Sequence, residues 1–354
     1  MSGPGYPTLF LFEVGQWYDY AGLVLVVVCL AVAAWLAQRY KWFVIAFFIV
    51  IPVLLSIFWW PHSTEGTSSA GWFPMVKLYS ALLGSLSLVA LQYVPKLRHN
   101  KYYLLLPPLL LAVNITEAVI RDFQCFSMTG VDPTQGFWCV GGPWNIMNGI
   151  AGILNILAIS GWMGIYISRK KSKAIIWGDL TVWWIIAYDL WNFAYLYNCM
   201  SGHAWYNGFG LLLGCTIPAF MKWGRGAWIQ YRAYTLYLWC AFTLTWPTFW
   251  TLPIEHRPSE NTTALFVMSL LALLANVALV VYHFGRIVMH RKKVWKQEVY
   301  SDTASYLQLV KETASREDEQ LIAGRLGMSA DVLYGADVSP VEEKEGESRE
   351  NDVY

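Results

Sequence analysis

Apolar runs long enough to cross a bilayer recur along the whole chain, and no other feature constrains the fold so strongly. A run of about 18 or more apolar residues marks a membrane span. Inside lipid the backbone must satisfy its own polar groups, which a helix does. Nine segments fit: Asp19–Gln38, Trp42–Trp60, Trp72–Val94, Tyr102–Ile120, Asn145–Ser168, Ile175–Tyr197, Asn207–Met221, Gln230–Trp250 and Ala264–Ile287. The expected fold is an all-α, polytopic transmembrane helix bundle. Composition agrees: 56% of residues are hydrophobic, only 14% are charged, and mean hydropathy is +0.39. A soluble domain would carry about 25% charged residues. The seventh segment is the shortest, and Gly214 and Pro218 interrupt it.

Charge sets the expected sidedness, because Lys and Arg concentrate in cytoplasmic loops. Basic residues fall between segments one and two (Arg39, Lys41), three and four (Lys96, Arg98, Lys101), five and six (Arg169 to Lys173), and seven and eight (Lys222, Arg225, Arg232). They return after segment nine, from Arg286 to Lys296, whereas the alternate loops carry only Arg121 and Arg257. This alternation predicts the N-terminus outside and the C-terminus in the cytoplasm. Four regions follow: an aromatic outer segment, 1–18; the bundle, 19–287; a cytoplasmic amphipathic tail, 288–337; and an acidic tail, 338–354. In the third, Val294, Val299, Tyr306, Leu309, Val310, Leu321 and Ile322 recur at roughly helical spacing. The fourth has almost no core-forming residues and is expected to be disordered. The N-terminus lacks the basic and apolar blocks of a signal peptide.

The expected partner is the lipid bilayer. A net charge of +1 without a basic patch beyond the cytoplasmic loops gives no reason to expect nucleic acid. There is no CxxC pair, HExxH, Walker loop, GxSxG or dinucleotide fingerprint. No catalytic residue, metal or cofactor is therefore assigned. His62, His203 and His256 fall on outer loops and read as polar loop residues. Cys125 and Cys139 share one outer loop, where an oxidising compartment permits a disulfide. Closing a loop of about 15 residues would contribute about 3 kcal/mol. Cys199, also near the outer face, is a rival partner.

Ionisable residues within spans are the strongest functional pointers in such a sequence. At 1.5 Å rise per residue, Asp189 lies about 21 Å into segment six and Asn192 about 26 Å, on a shared face. Tyr188, Asn192 and Tyr195 form an adjacent stripe. Glu117 is about 22 Å into segment four, with Asn114 and Arg121 on the same side, and Arg121 is spaced to pair with it. Asn145, Asn148 and Asn155 line one face of segment five, and Lys77 is about 8 Å below Trp72 in segment three. The expectation is one polar pocket in the outer half of spans three to six (72–197). Its residues are Lys77, Asn114, Glu117, Arg121, Asn148, Asn155, Tyr188, Asp189, Trp191, Asn192 and Tyr195, with Trp183 and Trp184 as further walls. The blander alternative has Lys77 and Arg121 snorkelling and the asparagines merely joining helices. Asp179 is assigned to structure, in the first helical turn and paired with Lys171 or Lys173.

The stretches "YDLWNFAYLYNC" and "GGPWNIMNG" resemble an uncharacterised family of multi-span bacterial membrane proteins. The resemblance implies a bacterial plasma membrane and carries no activity. Three functions compete. A secondary transporter, or a membrane protein binding a small polar or aromatic solute, would use the pocket directly. An intramembrane enzyme on a lipid-linked substrate would use paired carboxylates as acid and base. A receptor or assembly subunit would bind a cytoplasmic partner through 288–337. The first is favoured, because the polar residues converge in depth and no soluble catalytic domain is present.

Overall fold

The computed structural model describes residues 9–98, 100–134, 136–250, 255–293 and 298–335. The acidic tail 338–354 and Val294 lie outside the described residues. Among the described residues five helices are long and apolar enough to cross a membrane: α1 (Trp17–Arg39), α2 (Lys41–Phe58), α3 (Trp72–Tyr93), α4 (Lys101–Cys125) and α9 (Thr262–Met289). Pro107 and Pro108 follow a break in α4 at Leu105, where a helix start has no N–H bond to lose. Between α4 and α9 come α5 (Pro143–Leu157), α6 (Val182–Cys199), α7 (Leu211–Phe220) and α8 (Trp228–Thr245). These are shorter or less apolar and pack inside the bundle. A π-helical turn at Trp205–Gly210 leads into α7, and another, Ile45–Val50, lies within α2.

The helices form two groups. In one, α5 packs on α4, α6 and α9; in the other, α8 packs on α1, α3 and α7. At one end, here the N face, Leu11 meets Tyr197 and Ser259. At the other, the tail face, three buried glutamines join α1, α3 and α8. Gln38 Nε2 donates to Gln230 Oε1 at 3.0 Å, and Gln92 Nε2 donates to the Gln38 carbonyl at 2.7 Å. Gln230 Oε1 also accepts from the Ile175 N–H at 3.1 Å. Each buried amide thus finds a partner, as burial requires.

The fifth and sixth segments differ from expectation. α5 ends at Leu157 rather than Ser168, and α6 begins at Val182 rather than Ile175. Between them β3 (Ile165–Ile167) and β4 (Ile175–Trp177) pair antiparallel, with Ile165 opposite Trp177. Gly161 turns the chain at φ +68. The β-branched isoleucines suit strands, and short apolar runs do not distinguish strand from buried helix by periodicity. These strands are buried because the tail covers them. Helices Ala304–Thr313, Arg316–Leu326 and Ala330–Tyr334 form the tail. The Arg169 N–H donates to the Thr313 carbonyl at 2.8 Å, and Arg325 Nη1 donates to the Met163 carbonyl at 2.9 Å. Tail residues Val299, Tyr306, Leu309, Val310 and Ile322 are all buried. These five side chains of the tail are thus covered within its own chain, whereas Val332 is exposed.

Asp179 also stands elsewhere than expected. It precedes the helix, whose N-cap is Thr181. Its carboxylate accepts from Ser160 Oγ at 2.6 Å and from the N–H groups of Val299 and Tyr300 at 2.9 and 2.8 Å. It fastens the tail rather than pairing with Lys171 or Lys173. Beside it Glu298 is 1% exposed, with neither carboxyl oxygen hydrogen-bonded. It is wedged against Gly161 and Gly164, where added Cβ atoms would stand 2.5 and 2.1 Å from it. Burial, then Asp179, pushes the Glu298 carboxyl well above its ordinary range, with Arg325 and Lys292 opposing. A raised value in the docked state favours docking at low pH and weakens it as pH climbs towards that value. Proteolysis of the tail is therefore expected to accelerate as pH rises above the ordinary carboxyl value, by at most about tenfold per unit. Glu298→Gln should flatten this dependence; a Gln variant with the wild-type pH profile would refute it.

Candidate functional site

A tall cleft runs along the seam between the two helix groups. Its walls are α3 and α8 from one group and α4 and α6 from the other, and it holds about 1380 Å³ of empty space, open mouth included. Along α3 it is lined from Phe73 to Leu88, about 22 Å of helix. Phe137, from the loop joining β1 (Thr129–Val131) to β2 (Trp138–Val140), lines it from the N face. The walls are mostly apolar, with few polar groups, the usual make-up of a small-molecule site.

Two features stand out within it. Lys77 Nζ donates to Glu117 at 2.8 Å and to Asn114 Oδ1 at 3.3 Å, bridging α3 and α4. These side chains are 28% and 34% exposed, which puts the bridge at the mouth. Arg232 is buried deeper, on α8. Its Nε donates to Tyr188 Oη at 3.2 Å, and its guanidinium lies 5.9 Å from the Tyr188 ring. Its Nη1 is buried without a hydrogen-bond partner. Asn192 Oδ1, another cleft residue, is likewise buried without one. The direct polar partner of this guanidinium is the Tyr188 phenol, the Asp189 carboxylate acts on it only through its charge, and Arg offers five donors in a planar fork.

The expected pocket residues separate into four places. Lys77, Asn114, Glu117, Tyr188, Asn192 and Tyr195 line the cleft. Asp189 does not line it. Its Oδ2 accepts from Thr216 Oγ1 of α7 at 2.8 Å, and Thr216 also accepts from Trp228 Nε1. Because α6 starts seven residues later than expected, Asp189 is about 10 Å along it rather than 21 Å. Its position is a helical step of about 100° from Tyr188, so it faces α7 behind Arg232. Asn148 and Asn155 join helices: Asn148 Nδ2 donates to Asp122 at 2.7 Å, and Asn155 Nδ2 donates to Asn276 of α9 at 2.9 Å. Trp191 packs on Gly152 of α5, Trp184 Nε1 donates to the Asn155 carbonyl, and Trp183 is exposed on the outside of the bundle. Arg121 pairs with Asp132 and Gln124 rather than Glu117.

Three important residues went unnoticed in the sequence. Arg232 reads as one more basic loop residue, yet it is the fifth residue of α8. Gln230 and Tyr231 beside it, both polar and buried, would have argued for an inward face. Asn207 lines the cleft from the π turn, where Trp239 Nε1 donates to its side chain. Asp122 is fully buried and gathers Asn145, Asn148 and Cys199. Beside it the thiols of Cys125 and Cys139 are free in this structure. Among the described residues no group of three His, Cys, Asp or Glu side chains is arranged to hold a metal.

No curated protein and no solved structure matches the chain. A family model matches residues 13–312, which include every cleft residue and the first tail helix apart from its last residue. The chain therefore belongs to DUF5692, a family of unknown function.

Proposed function

We propose that this membrane protein binds a small organic anion with an apolar or aromatic body in the cleft, and moves it across the bilayer as a secondary transporter. The observation that carries the reading is Arg232: a buried guanidinium with a free donor, facing a tall apolar cleft. Of the two cationic side chains that line the cleft, Lys77 is paired with Glu117 at the mouth, and Arg232, with Asp189 behind it, keeps a donor for a ligand. Tyr188, Tyr195, Phe73 and Trp239 would cover the apolar body. A cleft on the seam between two helix groups also suits rocking of one group against the other. On the same reading all nine segments cross the plasma membrane of a bacterium, with the N face outside. The alternation of basic loops supports this orientation, although Arg232 itself has left the loop.

The ligand chemistry is an anionic head on an apolar body, available from a free solute or a lipid. The purified chain in nanodiscs should bind an aromatic carboxylate more tightly than its neutral amide. Phosphatidic acid, tested against phosphatidylcholine, separates the lipid source from the solute. Equal affinity for charged and neutral members of both pairs would overturn the proposal. Uptake of the bound anion into proteoliposomes tests the transport step, and binding without uptake would reduce the protein to a receptor.

A further inference from the structure

Away from the cleft, three thiols meet at the N face. Cys125 ends α4, Cys139 lies in β2, and Cys199 ends α6. The Cys125 thiol is within hydrogen-bond reach of both others. All three are buried. Cys199 Sγ lies 3.5 Å from Asp122 Oδ1 and 3.5 Å from Asn145 Nδ2, while Cys139 Sγ donates to the Met128 carbonyl at 3.1 Å. The strand end is pressed onto α4: a Cβ at Gly141 would stand 2.2 Å from the Cys125 carbonyl. Three thiols in contact cannot all pair, so any one disulfide leaves a third thiol beside it.

We propose that Cys125, Cys139 and Cys199 form a thiol–disulfide exchange site with Cys125 as the shared partner. An external low-molecular-weight disulfide is the oxidant. When local opening of the N face exposes Cys125, its thiolate attacks this disulfide, forming a mixed disulfide and releasing one thiol. Cys139 or Cys199, losing its proton, then attacks the Cys125 sulfur and releases the second. The external disulfide gains two electrons and leaves as two thiols; the protein gains one disulfide. The remaining cysteine can attack Cys125 in turn, moving the bond with no net oxidation. A bond to Cys139 ties α4 to the hairpin that carries Phe137. A bond to Cys199 ties α4 to α6, which carries Tyr188, Asn192 and Tyr195. Each state thus braces a different wall of the cleft.

The full chain in detergent is equilibrated in oxidised and reduced glutathione, alkylated, and cut with chymotrypsin, which cleaves after Phe126 and Phe137. Mass spectrometry should find both Cys125–Cys139 and Cys125–Cys199 peptides in the wild type. Cys139→Ser should retain only the second linkage, Cys199→Ser only the first, and Cys125→Ser neither. A single linkage in the wild type, or Cys139 joined to Cys199 in Cys125→Ser, overturns the proposal. The wild-type digest decides even where a variant fails to fold.

Discussion

Arg232→Leu is expected to abolish selective binding of the anion while leaving the protein as stable as before, or more so. Truncating one partner of a buried, hydrogen-bonded charge pair costs about 2–5 kcal/mol, and 1.4 kcal/mol is tenfold in affinity. The loss should therefore be at least about 30-fold. Stability should move the other way. Arg232 Nη1 has no hydrogen-bond partner within the chain, and the residue is 8% exposed. A buried charge without good pairing costs desolvation energy that its surroundings do not return, and apolar replacement is often neutral or stabilising. Arg232→Lys should fall between, keeping the charge but losing the fork that binds a carboxylate or phosphate through two donors. Binding by titration calorimetry and melting of the same nanodisc samples give both readouts. If Arg232→Leu melts well below the wild type and still prefers the carboxylate to the amide, Arg232 is a structural residue and the site lies elsewhere.

The sequence made the helices legible where their chemistry was redundant. α1, α2, α3, α4 and α9 are apolar over a full membrane thickness, and a helix satisfies such a backbone in lipid within a single segment. It was less informative between Ser160 and Thr181. Isoleucine and tryptophan there are buried by the tail, and burial looks the same in sequence whether lipid or protein supplies it. That misreading moved the start of α6 by seven residues, so Asp189 stands nearer the start of its helix than the spacing predicts. Lys77, Asn114 and Glu117 escaped it, because α3 and α4 begin where their apolar runs begin. Arg232 was hidden for a different reason. A lone arginine one turn inside a helix reads as a boundary residue, and only the packing of α8 against α3 and α7 shows that it faces inward.

Asp122 is where removing a single side chain should damage the fold most. It lies at the end of α4 facing α5 and α6, with 0% exposure. Its carboxyl accepts from Asn145 Nδ2 at 3.3 Å and Asn148 Nδ2 at 2.7 Å, and Cys199 Sγ donates to it at 3.5 Å. Asn145 in turn receives the Gly142 N–H on its Oδ1, which caps the start of α5. Asp122→Ala would strand two buried amide donors and leave the Asn145 side chain unfixed. A buried donor left without a partner costs about 1–3 kcal/mol, so about 3 kcal/mol is expected for the site. Asp122→Asn should cost less, because its remaining carbonyl oxygen can still accept one of the amides. Glu117→Gln serves as the contrast. Its partner Lys77 is 28% exposed at the mouth of the cleft, and an exposed pair contributes about 1 kcal/mol or less. The melting temperature should therefore fall steeply for Asp122→Ala and barely for Glu117→Gln, although both carboxylates lie in α4 within five residues of each other. Equal losses would mean that the Lys77–Glu117 bridge holds α3 to α4 as firmly as Asp122 holds α4 to α5. The cleft mouth would then be a fixed strut rather than an entrance.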